Sequence, residues 1–173
     1  MTKKNQNDII GKLLEIGDIM STKGVIFLDV DGVLISLKHQ IKMRELHHEI
    51  RFGLKVPLDW YCIQNFFQLV KDTDSDVVLA SGWRKYEEGI RRIKQIFSFY
   101  QLEGHYVGET DCLFKGTRTE EVLKYLESHP YKNFALLDDM RQFGLEKNQV
   151  VVNRQVGFTS KDAEAAKKIL MKR

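Results

Sequence analysis

With 173 residues, 43% of them apolar, and a formal charge of +3, the chain can bury a real core and is expected to form one domain over 1–173. No segment approaches the roughly 18 uninterrupted apolar residues of a membrane span, and the charge is too mild to argue by itself for a nucleic-acid partner. Cys62 and Cys112 have neither metal-ligand spacing nor the density of a disulfide framework, so a reducing cytoplasm is the expected compartment.

The polar stretch Met1 to Asp8 leads into Ile9 to Met20, which Lys12, Glu15 and Asp18 interrupt, and this is not a signal-peptide pattern. Ile9, Ile10, Leu13, Leu14 and Ile16 recur at helical spacing and predict an N-terminal helical extension within 1–23.

Val25 to Leu28 is a continuous apolar run that stops at Asp29-Val30-Asp31-Gly32. It reads as a strand buried on both faces of a sheet. Carboxylates at i and i+2 of an extended chain share a side. If the strand unwinds at Gly32, Asp29 and Asp31 lean into one crevice at its C-terminal end, where open α/β sheets bind ligands. A buried Asp29 then needs a cation or strong donors. Asp-Gly is also a common turn signal. A calcium loop starting at Asp29 does not fit, because Leu34 and Gln40 stand where its Gly and Glu belong.

The next segment, over 35–56, carries Lys38, His39, Lys42, Arg44, His47, His48 and Arg51 with few apolar residues. It is either a solvated helical excursion or a small cap that draws anions inward. The His47-His48 pair lacks a third ligand at suitable spacing. After Pro57, the residues Trp60, Ile63, Phe66, Phe67 and Val70 mark the core face of a helix.

Asp72 to Asp76 is a turn, Val77 to Ala80 a second buried strand, and Ser81-Gly82-Trp83-Arg84 its exit. A helix follows with Ile90, Ile93, Ile96 and Phe97 on one face, then a short third strand at Tyr106-Val107 and a loop over Gly108 to Gly116. Thr117-Arg118-Thr119-Glu120 has the capping-box pattern and starts a helix that turns Val122, Leu123, Tyr125 and Leu126 inward. Phe134 to Leu137 is a further buried strand ending at Asp138-Asp139, and Val150 to Val152 is the last. Thr159-Ser160-Lys161-Asp162 caps a final helix with Ala163, Ala166, Ile169 and Leu170 facing the core. Short apolar strands alternating with helices predict an α/β fold, a Rossmann-like three-layer sandwich around a parallel sheet.

The polar strand ends make a coherent set for phosphoryl transfer. Carboxylates from two strands, Asp29 with Asp31 and Asp138 with Asp139, can hold Mg²⁺, a hard cation that prefers oxygen. Asp29 is the natural nucleophile through an aspartyl-phosphate, and Asp31 can protonate the leaving oxygen. Ser81 can donate to a phosphoryl oxygen. Ser81-Gly82 is also a plain turn signal, and Arg84 is either a surface charge or a substrate contact. Lys115 or Arg118 supplies a cation beside a helix N-terminus. Lys115 precedes the Thr117 cap and is favoured for that reason, with Arg118 in the first turn as its rival.

Phe27-Leu28-Asp29-Val30-Asp31-Gly32-Val33-Leu34 resembles the first motif of the haloacid dehalogenase-like (HAD) phosphohydrolases. Val78-Leu79-Ala80-Ser81 is similar to their second motif and Leu136-Leu137-Asp138-Asp139 to their fourth, while a basic residue at Lys115 or Arg118 answers to the third. Within that superfamily, Ser81-Gly82-Trp83-Arg84 and the tail with Gly157-Phe158-Thr159 resemble small HAD domains of RNA-repair-associated proteins. The likeness spans roughly residues 24 to 170. It implies a Rossmann-like fold, Mg²⁺ dependence and phosphatase or phosphotransferase activity, with metal contacts from Asp29, the Asp31 backbone carbonyl and Asp138.

The leading expectation is a Mg²⁺-dependent phosphatase. The segment over 35–56 leaves room for a small helical cap at most, so an open cleft suits a large phosphorylated substrate such as a nucleic-acid end. The alternatives are a small-metabolite or nucleotide phosphatase, and a non-catalytic binding module on the same fold.

Overall fold

The computed structural model describes residues 22–47 and 56–172. Its centre is a five-stranded, all-parallel sheet built from β1 (Val25–Leu28), β2 (Asp76–Leu79), β3 (Tyr106–Glu109), β4 (Phe134–Asp138) and β5 (Gln149–Val151), in the order β3-β2-β1-β4-β5. The five helices among the described residues are α1 (Leu37–Leu46), α2 (Trp60–Thr73), α3 (Glu87–Phe99), α4 (Arg118–Ser128) and α5 (Ser160–Leu170). β1 is central because it is apolar on both faces, and β2 and β4 flank it in direct register, Leu28 beside Leu79 and beside Leu137. This is the predicted α/β Rossmann-like arrangement.

Residue parity along the strands decides which side chain enters which core layer. Ile26 and Leu28, with Val77, Leu79, Ala135 and Leu137, pack under α2, α3 and α5, where Phe66, Phe67, Phe97, Phe158 and Leu170 fill the layer. Val25 and Phe27, with Val78, Phe134 and Leu136, face the other way, against Val122, Leu123 and Leu126 of α4. Each buried side chain of this size contributes about 1.5–3 kcal/mol by leaving water, so a one-residue slip of β1 would invert both layers.

The strands match the sequence reading to within a residue or two. β2 begins at Asp76, β3 runs on to Glu109, β4 includes Asp138 and β5 begins at Gln149. Trp60 departs from expectation. It is the first residue of α2, is exposed, and lies edge-on to Phe99 at 6.0 Å instead of joining the core stripe. Ser81 caps a short 3₁₀ turn over Gly82–Lys85, with α3 starting only at Glu87. In the basic segment α1 buries none of its residues. His48, Arg51 and the predicted N-terminal helix lie outside the described residues. Among those that are described, no helix is long and apolar enough to cross a membrane.

Candidate active site

Parity and register build the site before any side-chain detail. Leu28 pairs with Leu137, and the Asp29 N–H donates to the Leu137 carbonyl at 3.0 Å, so the next residues on the two chains, Asp29 and Asp138, stand side by side. Each has the parity of Phe27 and Leu136, which turns both carboxylates towards the face covered by α4. They are only 8% and 3% exposed. Two buried acids in contact need a cation nearby, because neither desolvation nor mutual repulsion is relieved by the strands themselves.

Arg118, the first residue of α4, supplies one. Its Nη2 lies 3.6 Å from Asp29 Oδ1 and its Nε 3.5 Å from Asp138 Oδ2. Both separations exceed a good hydrogen bond, and Nε is buried without a hydrogen-bond partner. The guanidinium therefore offsets the two charges without locking onto either. Its firm contact is Nη1 to Glu121 Oε2 at 2.9 Å, and Glu121 Oε1 in turn pairs with Arg84 Nη2 at 2.7 Å. Thr117 sets the position of Arg118 by capping α4 reciprocally with Glu120.

The electrostatics follow from this crowding. Burial, reinforced by Asp138, pushes the Asp29 carboxyl up from 3.8 to about 7, with Arg118 and a hydrogen bond to Ser81 acting in the opposite sense. Burial also raises Asp138, against the Met140 N–H that donates to its Oδ1 at 2.8 Å. Asp31 sits at the rim with its Oδ2 accepting from the Trp83 indole N–H at 3.0 Å. Partial desolvation by the site walls raises it as well, and the indole bond opposes the rise.

Asp29, Asp138 and Asp139 each offer a carboxylate oxygen, and these atoms lie within 4.8 Å of one another. An all-oxygen, multiply anionic donor set is what a hard divalent cation requires, and it gives softer metals no nitrogen or sulfur. The residues thus fit the Mg²⁺ that the sequence reading expects. Gly32 keeps this group open: its φ is +82°, and a Cβ there would stand 2.5 Å from Asp139 Oδ2. The Asp31 carboxylate stands outside the trio.

Around the acids opens a crevice of about 600 Å³ whose walls include Asp29, Asp31, Gly82, Arg118, Asp138 and Asp139. Ser81 is buried and is not among the lining residues. Gly82 is exposed at its mouth, with no atom within 4 Å of where its Cβ would be. The two candidate cations sit differently. Lys115, favoured by its place before the cap, is exposed, has a φ of +61°, and carries its Nζ 5.5 Å over the Phe114 ring. Arg118 is the cation that reaches the aspartates.

Arg84 is among the residues that line the crevice. It is buried against Glu121 and donates to the carbonyls of Ser81, Thr110 and Asp111. The sequence reading missed Glu121 and the bond from Trp83 to Asp31. It also missed Arg154, whose Nε is 3.7 Å from Asp139 Oδ2. The i,i+3 spacing of Arg118 and Glu121 was the available signal for the first. Nothing local marks the other two.

A family profile described as "HAD domain in Swiss Army Knife RNA repair proteins" matches residues 25–163. That span contains every strand and all of the acids above. Comparison with curated proteins and with solved structures finds no match.

Proposed function

Because the chain belongs to the HAD domains found in Swiss Army Knife RNA repair proteins, we propose that it is a Mg²⁺-dependent phosphatase working through an aspartyl-phosphate. The observation that carries this reading is the pairing of Asp29 with Asp138 under Arg118, with Asp139 close enough to complete a cation site. Asp29, Asp138 and Asp139 would hold the ion. When bound, Mg²⁺ neutralises phosphate charge and favours the ionised form of the acids.

The chain's own residues then divide the work. The Asp29 carboxylate forms a bond to phosphorus as the bond from phosphorus to the leaving oxygen breaks, and Asp31 passes its proton to that oxygen. Water next attacks the phosphorus of the aspartyl-phosphate, Asp31 takes back a proton, and the bond to Asp29 breaks with release of inorganic phosphate. Ser81 and Arg118 face the equatorial oxygens, where positive charge and donors count for most. A raised Asp31 suits a group that must arrive protonated.

The substrate we propose is a phosphorylated nucleic-acid end. Three features support it: the family's association with RNA repair, the open crevice with Lys85 and Arg154 in its walls, and exposed Phe114 and Phe143 close in sequence to the lining residues Gly116 and Gln142. Stacking platforms next to cations are how single strands are held. With both cysteines free, a reducing cytoplasm is the compartment that goes with this reading.

Asp29→Asn tests the mechanism. Hydrolysis of an aryl phosphate in Mg²⁺ is expected to fall by about a thousandfold or more with the folded circular-dichroism spectrum retained. Wild-type activity lost in EDTA and restored by Mg²⁺ is the companion result. Full activity in Asp29→Asn would sink the proposal.

A further inference from the structure

The turn that leaves β2 reaches Asp31 through the side chain of Trp83. The Ser81 side chain accepts the Trp83 backbone N–H at 3.4 Å. Two residues on, the Trp83 indole donates to Asp31 Oδ2 at 3.0 Å across 52 residues of sequence. Trp83 is 3% exposed and belongs to the main core, so its ring cannot swing without repacking. On the indole face lies the Arg92 guanidinium, 5.0 Å from the ring centroid, which also donates to the Val56 carbonyl at 3.1 Å. Arg92 leaves Nη1 buried without a partner, a costly arrangement for a side chain whose only role was hydrogen bonding.

We infer that Trp83, backed by Arg92, is a positioning residue that holds the Asp31 carboxyl in the rotamer from which it serves the leaving group. An indole N–H can only donate. The bond it gives to Oδ2 therefore fixes the orientation of the Asp31 carboxyl group. In the first step the bond from phosphorus to the leaving oxygen breaks as the Asp29 oxygen bonds to phosphorus, and the Asp31 proton goes to the departing oxygen. Trp83 thus holds the acid in one rotamer, which matters most when the leaving group is too basic to depart as an anion. The inference rests on the role of Asp31 in the proposed phosphatase reaction.

The test compares kcat/KM, which reports steps up to departure of the leaving group, for an alkyl phosphate and for p-nitrophenyl phosphate, whose leaving group needs no proton. Trp83→Phe keeps a ring in the core and removes the N–H. Its loss on the alkyl phosphate is expected to exceed its loss on the aryl phosphate by about tenfold, and Arg92→Leu should show the same selectivity to a smaller degree. An equal fall on both substrates, or no change, overturns the inference.

A second readout does not use turnover. The chain has two tryptophans, so Trp83→Phe identifies the Trp83 indole signal in a ¹H–¹⁵N spectrum. Asp31→Ala should shift that signal in the otherwise native protein, and a stationary signal overturns the contact itself. A wild type that hydrolyses neither phosphate instead overturns the phosphatase reading, while the spectrum still decides the contact.

Discussion

A single carboxyl group, Asp29, concentrates the opposing demands on this protein. Its carboxyl ionises near 3.8 when free of the fold and near 7 inside it, so between those values the folded state holds a proton that the unfolded state has released. The stability it contributes is full below about pH 4 and is lost as pH rises towards 7, with a slope of up to about 1.4 kcal/mol per pH unit. Asp31 and Asp138 are raised too and act in the same sense. Melting temperature in EDTA is therefore expected to fall from pH 5 to pH 8, and Asp29→Asn to flatten that fall. Mg²⁺ should stabilise far more at pH 8 than at pH 5, because binding requires the ionised acids. A pH-independent Mg²⁺ effect on melting would contradict this account. Gly32 is the second residue on which much turns. Gly32→Ala adds a methyl group 2.5 Å from Asp139 Oδ2 at a φ of +82°, and the expected outcome is a cost of about 1–3 kcal/mol together with weaker Mg²⁺ stabilisation in the same melts.

Among the elements, the first turn of α4 organises most of the site. Its capping box sets the helix start, and the Thr119 hydroxyl donates to the Phe143 carbonyl at 2.9 Å, tying the loop after β4 to the same turn. Arg118 is thereby carried over the aspartates and braced by Glu121, itself braced by Arg84. Arg118→Ala is expected to lower aryl-phosphate turnover by about a hundredfold, whereas Lys115→Ala, which removes an exposed side chain, should change it less than about twofold. A reversal of that order in steady-state assays would return the basic role to Lys115. The capping-box pattern made the start of α4 readable in advance. Which of two nearby cations points inward was not readable, because it depends on the left-handed backbone at Lys115 and on the partner that Glu121 offers to Arg118.

On the scale of the whole molecule, the open crevice and its rim decide which substrates can reach the acids. Phe114 is 92% exposed and Phe143 71%. If these rings stack terminal bases, each contributes about 1–3 kcal/mol to strand binding. An end-phosphorylated oligonucleotide should then show kcat/KM at least about tenfold above the matching mononucleotide. Phe143→Ala should erode that advantage while sparing p-nitrophenyl phosphate. Equal rates on oligonucleotide and mononucleotide would favour the small-metabolite or nucleotide phosphatase over the nucleic-acid reading.

By itself the sequence determined the elements and the acids. Strand periodicity, capping signals and the carboxylates at the ends of β1 and β4 are local properties of contiguous residues, and they carry the α/β class and the position of Asp29, Asp31, Asp138 and Asp139 along the chain. Only the tertiary structure decided which of these groups meet. The Leu28 to Leu137 register sets Asp29 beside Asp138, the face covered by α4 brings Arg118 and not Lys115 to them, and Trp83 stands 52 positions along the chain from the Asp31 it holds. Those contacts depend on strand order and on how a helix seats against a sheet. Both arise from burying two apolar layers at once, and no short window of sequence records that requirement.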